Sequence, residues 1–111
     1  MTDQTTNIEG GMTLTELQSM HSTFVEEMGW RYSKTPLESV ALICEEIGEL
    51  THELRKKHLD YDACGDELAD IILRAIDLAK EMNIDIGAAV ECKARKNIAN
   101  IDAIKAKGRV I

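Results

Sequence analysis

Five carboxylates stand in two short groups, Glu45-Glu46-Ile47-Gly48-Glu49 and, after seventeen further residues, Glu67-Leu68-Ala69-Asp70. On a helix the pairs Glu46/Glu49 and Glu67/Asp70 are each one turn apart and share a side. With Ile47 at the centre of its helix's apolar stripe, Glu46, Glu53 and Glu49 fall at about −100°, −120° and −160°. Two helices laid together can therefore aim two carboxylates each at a common gap. Four such groups repel and raise one another's pKa unless a cation lies between them. Hard oxygen donors on a rigid frame suit Mg²⁺, with Mn²⁺ as a substitute, and those ions bridge phosphates and acidify bound water. Setting these four acids aside leaves 20 − 4 = 16 against 13 basic residues, so four of the seven excess negative charges belong to this place.

Helices must carry the two groups, and the punctuation predicts four of them. Thr13 with Glu16 forms a capping box before Leu14, Leu17, Phe24 and Met28, a helix that ends near Gly29. Thr35-Pro36-Leu37-Glu38 is a second start, followed by Leu37, Val40, Ile43, Ile47, Leu50 and Leu54 to about Lys57. A third helix is expected from about Asp62 to Met82, and a fourth from Asp85 past Asn97 to about Lys107. The fold class is all-α, an antiparallel four-helix bundle with short connections. Residues 1–12 read as a flexible lead-in, 13–107 as one helical domain and 108–111 as a tail. Ile71, Ile72, Leu73, Ala75, Ile76, Leu78, Ala79 and Met82 cover most of the third helix, leaving only Glu67, Asp70, Arg74 and Asp77 as a polar strip. An excess of apolar face predicts a homo-oligomer, a dimer or a dimer of dimers.

The 111 residues suffice for one domain, and 44% apolar with 30% charged residues is a globular composition. A net charge of −7 repels phosphate backbones and argues against a general nucleic-acid binder. No apolar run reaches the roughly 20 residues that cross a bilayer, so no membrane partner is expected. Cys44, Cys64 and Cys92 form no metal-finger or CxxC spacing and read as reduced thiols. With a polar start lacking an apolar signal segment, the sequence predicts a cytoplasmic protein.

The acidic pattern resembles the signature of the all-α nucleoside triphosphate pyrophosphohydrolases, the MazG-like superfamily that also holds dimeric dUTPases and dCTP pyrophosphatases. Asn83-Ile84-Asp85 leading to Glu91-Cys92-Lys93-Ala94-Arg95-Lys96-Asn97 is similar to the family's last helix, and His21-Ser22-Thr23-Phe24 with Gly29-Trp30 to the first helix of the dCTP-pyrophosphatase branch. The resemblance runs from His21 to Asn97. It implies that Glu46, Glu49, Glu67 and Asp70 are the catalytic Mg²⁺ ligands. Glu45, at about 160° on the wheel, would stand behind them or at the surface. Lys93 and Asn97 would reach the phosphates and sugar, although by spacing alone Lys93 is an ordinary solvated lysine. Trp30 would wall the nucleobase or else cap the bundle end. His21 would line the base or sugar pocket or else be a core histidine.

The implied reaction is metal-assisted hydrolysis of a (deoxy)nucleoside triphosphate to the monophosphate and pyrophosphate, favouring deoxynucleotides and serving to cleanse the nucleotide pool. Phosphoribosyl-ATP hydrolysis and a non-catalytic metal-binding or interaction module on the same scaffold are the alternatives. Glu49-x-x-His52 is half of a di-iron pattern, but the third helix offers Glu67-x-x-Asp70 in place of the second half. The chain contains no P-loop.

Overall fold

A computed structural model describes residues 11–29 and 35–108. The expected lead-in and tail fall largely outside them. The described residues form five helices: α1 (Leu14–Met28), α2 (Pro36–Leu54), α3 (Tyr61–Glu81), α4 (Ile86–Ala99) and α5 (Ile101–Ala106). Both capping boxes close. The Glu16 amide donates to Thr13 Oγ1 at 3.1 Å, and the Thr13 amide to Glu16 Oε1 at 2.8 Å. Thr35 and Glu38 repeat the pair at 3.2 and 2.9 Å. Asp60 and Asp85 cap α3 and α4 by accepting from the Ala63 and Ala88 amides. Gly29 ends α1 at φ +70°, a left-handed conformation that costs glycine nothing.

One expected element is divided. The fourth helix was expected to continue to about Lys107, but it stops at Ala99 and resumes as α5. Asn100, at φ −110° and ψ 21°, turns its side-chain amide back onto the Lys96 carbonyl at 2.8 Å. Such local bonding by asparagine offers the backbone an alternative to continuing the helix.

Helix α3 is the element on which the others pack: α2 lies against it, as do α1 and α4. Residue pairs fix the sense of the α2–α3 hairpin. Ser39 Oγ donates to Glu81 Oε1 at 2.7 Å, and Arg74 Nε meets Glu46 Oε1 at 3.5 Å. Early α2 thus meets late α3, and the two run antiparallel. On the other side, Gln18 Nε2 donates to the Ile84 carbonyl at 3.0 Å and to that of Ile76 at 3.3 Å, pinning α1 to α3 and to the turn before α4. Val25 and Ile76 are the most deeply buried large side chains, with Cys64 and Ala79 beside them in the core.

The hairpin buries an unexpected side of α2. Ser39 and Glu46 are buried and Leu42, Ile43, Leu50 and Glu53 half-buried, whereas Leu37, Val40, Cys44, Ile47 and Leu54 remain exposed. The seam with α3 therefore runs along the acidic edge, not along the centre of the apolar stripe. In α3 the apolar surplus is similarly divided: Ile76 and Ala79 are covered, and Leu68 and Ile72 are not.

Gly87, in the first turn of α4, packs against Thr15 of α1. A Cβ there would overlap the Thr15 hydroxyl, which is already committed to Asp85 Oδ1 at 3.1 Å, and would press on the Thr15 backbone nitrogen. Alanine gains up to about 1 kcal/mol of helix propensity over glycine, but overpacking costs about 1–3 kcal/mol. Gly87→Ala is thus expected to lower the melting temperature by several degrees in a thermal scan. An unchanged or higher melting temperature would mean that α1 shifts freely on α4.

Candidate metal and substrate site

The antiparallel hairpin brings both acidic groups to one place. Carboxylate oxygens of Glu46, Glu49 and Glu67 lie within 4.8 Å of one another. Glu46 is buried, Glu67 half-buried and Glu49 exposed, so the cluster rises from the α2–α3 seam to the surface. It opens into a depression of about 470 Å³ lined by Glu45, Gly48, Glu49, His52, Glu53 and Glu67.

Charge crowding appears in the titration of these groups. Burial pushes the Glu46 carboxyl above its ordinary value, reinforced by the charge of Glu49 and by Asp70, while Arg74 pulls the other way. Glu67 is pushed up to about 7, first by hydrogen bonding with Glu49 and by desolvation, then by the charges of Glu49, Glu46 and Asp70. Glu67 Oε2 is shut off from solvent and has no hydrogen-bond partner. A buried acceptor with no donor is costly, and a cation relieves it directly. Divalent ions hold oxygens at about 2.0–2.6 Å, which puts their ligand oxygens about 3–5 Å apart. The cluster fits such an ion, and its all-oxygen donor set suits a hard one.

Every residue singled out from the sequence except Trp30 has a definite place. Glu46, Glu49 and Glu67 converge. Asp70 is exposed and sits beside Glu46, close enough to raise its pKa, but outside the group of three. Glu45 is exposed and lines the depression. Lys93 and Asn97 line a separate groove of about 310 Å³ between α4 and α5, together with Lys96, Asn100 and Lys107. His21 is half-buried on α1 and stacks on Phe24, ring centroids 5.8 Å apart. Trp30 lies outside the described residues.

Two features of the site were not anticipated. Arg74 reaches Glu46 across the seam, and Ser39 with Glu81 closes the far end of the same seam. Arg74 lies one turn beyond Asp70 and two beyond Glu67 on the polar strip of α3, which was the available signal. Glu53, on the acidic strip of α2, and His52, read as half of a di-iron pattern, form part of the depression wall.

Among the described residues no helix is long and apolar enough to cross a membrane. Comparison with curated proteins and with solved structures gave no match. A family model, the MazG nucleotide pyrophosphohydrolase domain, matches residues 34–100. That span takes in α2, α3 and α4, including every carboxylate of the cluster and the groove residues Lys93 and Asn97. An all-helical chain with an acid cluster between its second and third helices, matched by that model over more than half its length, belongs to the MazG nucleotide pyrophosphohydrolase family.

Proposed function

We propose that the chain is a Mg²⁺-dependent nucleoside triphosphate pyrophosphohydrolase that releases the nucleoside monophosphate and pyrophosphate, favours deoxynucleotides and cleanses the nucleotide pool in the cytoplasm. The observation that carries this reading is the convergence of Glu46, Glu49 and Glu67 around an orphaned, buried Glu67 oxygen in a chain of this family. Glu46, Glu49 and Glu67 would hold the ion, with Asp70 beside Glu46 as the fourth carboxylate. A divalent ion bound here supplies neutralisation of the triphosphate charge and a water acidified toward neutral pH.

The chain's own groups do the rest. Arg74, 3.5 Å from Glu46 Oε1, and Asp70 beside it hold the buried Glu46 carboxyl in place at the cluster. Water attacks the α-phosphorus in line, the bond from that phosphorus to the bridging oxygen breaks, and pyrophosphate departs. A cluster carboxylate takes the proton of the water. The depression beside Glu45, Gly48 and His52 has room for a phosphate chain and is open to solvent.

Lys93 and Asn97 are assigned to phosphates and sugar, and the lysine-rich character of their groove supports anion binding there. His21 and Trp30 are assigned to the base pocket, on the resemblance of the first helix. Glu45 stands behind the ligands. The domain is taken as residues 13–107, a four-helix bundle completed by homo-oligomerisation.

A panel of ribo- and deoxynucleoside triphosphates, assayed with Mg²⁺ and with EDTA and resolved by chromatography, tests the proposal. Monophosphate and pyrophosphate in equal amounts, lost in EDTA and strongest for a deoxynucleotide, are expected. Diphosphate plus phosphate would overturn the assigned cleavage position, and turnover in EDTA would overturn the metal.

A further inference from the structure

Helix α2 carries a glycine for which the described fold has no use. Gly48 lies well inside α2, which runs from Pro36 to Leu54, so it marks neither a helix end nor a turn. Among the described residues only Gly29, Asn83 and Gly108 have a positive φ. A Cβ on Gly48 would meet no described atom within 4 Å, whereas at Gly87 one would overlap the Thr15 hydroxyl. Glycine is the poorest helix former after proline, and alanine is the best. Neither backbone conformation nor helix packing accounts for a glycine here. Its surroundings supply the reason: Gly48 lines the acidic depression of about 470 Å³, together with Glu45, Glu49, His52, Glu53 and Glu67.

The residues three before and four after share its side of the helix, and here they are Glu45 and His52. They stand about 4.5 Å before and about 6 Å beyond Gly48 along the axis. Two long side chains with none between them leave a notch in the depression wall, floored by the α2 backbone. Glu49, the next residue, is one of the three converging carboxylates, so the notch adjoins the cluster. Within a helix the backbone amides are already bonded, so the notch contributes room and not a donor.

Charge restricts what can enter. Glu45, Glu49 and Glu67 line the depression, and Glu53 is neutralised by Lys56, whose Nζ lies 3.0 Å from both of its carboxylate oxygens. A bare phosphate is repelled by such a wall, whereas one bridged by a divalent ion at the cluster is not.

We propose that Gly48 is the clearance residue of the substrate site. Its missing side chain admits the metal-bridged phosphate chain against α2, between Glu45 and His52. This rests on the activity proposed above and deepens it.

Gly48→Ala in the full chain, with Gly65→Ala as its control, tests the inference. Gly65, near the start of α3, is equally free of described neighbours within 4 Å and lies outside the lining of the depression. Both substitutions should raise the melting temperature, because each replaces a poor helix former with a good one. Gly48→Ala should also raise KM for the preferred triphosphate about tenfold, and Gly48→Leu about 100-fold or more, with kcat changed far less. Calorimetric Mg²⁺ affinity should be unchanged in both, since no carboxylate is altered. Gly65→Ala should keep the wild-type KM.

A Gly48→Ala chain that is more stable and keeps the wild-type KM would overturn the inference. So would a lowered melting temperature, which would mean that the fold itself packs on Gly48. A wild type that turns over no nucleoside triphosphate would instead overturn the proposed activity. Binding of Mg²⁺-pyrophosphate, followed by calorimetry, then decides for the notch. Affinity about tenfold weaker in Gly48→Ala sustains it, and equal affinity, or no binding to wild type, overturns it.

Discussion

Glu49→Gln is expected to lower pyrophosphohydrolase turnover about a thousandfold or more, with the far-ultraviolet circular dichroism unchanged. Of the three converging carboxylates Glu49 is the exposed one, and the scaffold does not lean on it. Its loss would take one carboxylate charge from the proposed metal site, where charge stabilisation is worth several kcal/mol. Each 1.36 kcal/mol of barrier is tenfold in rate. Glu46→Gln would confound the result, because Glu46 is buried and paired with Arg74, so its substitution leaves a guanidinium without its partner. Glu45→Gln provides the contrast. It lines the depression outside the group of three, and its effect should stay within about tenfold. Turnover that survived Glu49→Gln would remove the cluster from the chemistry.

The second large effect links pH, metal and stability. A free glutamate titrates near 4.5, whereas Glu67 in the folded chain holds its proton up to about 7. Between those values the folded state binds more protons than the unfolded one. Without metal, stability from this group is therefore fully present below about pH 4.5 and is lost as pH rises through 7. Glu46, raised in the same direction by burial, adds to the slope. With saturating Mg²⁺ the slope should flatten or reverse, since the ion binds the deprotonated carboxylates and stabilises the folded chain by mass action. Melting curves from pH 5 to 8 in EDTA and in Mg²⁺ would show two lines that diverge as pH rises, and calorimetry near pH 6 should detect protons released on Mg²⁺ binding. Parallel lines would mean that the ion does not engage Glu67.

What the sequence made legible was local. Thr13 with Glu16, Thr35-Pro36 with Glu38, and Asp85 mark helix starts because the groups that satisfy one another are three residues apart, and all of these caps form. The gathering of Glu46, Glu49 and Glu67 was legible for the same reason, once a hairpin of two helices was assumed. The Asn100 break was not, because a side chain turning onto the carbonyl four residues back leaves the apolar rhythm intact. Ser39 with Glu81 and Glu46 with Arg74 were also hidden, since they depend on how far α2 is displaced along α3. Periodicity marked an apolar stripe on α2 centred on Ile47, but Leu37, Val40, Ile47 and Leu54 stay exposed and α3 takes the acidic edge instead.

That edge has a mechanical consequence. Apolar helix faces tolerate slippage, because one buried methyl group replaces another. Between α2 and α3, a slide of one turn, about 5.4 Å, would instead strand the buried Ser39 hydroxyl and the Glu46 carboxylate away from Glu81 and Arg74. The two polar contacts act as dowels, and the register they hold also sets the spacing of the carboxylate oxygens just beyond Glu46 and Arg74. Movement that admits or releases a substrate is therefore expected from bending of the hairpin or from the elements around it, because sliding of the two helices that carry the acids breaks both contacts.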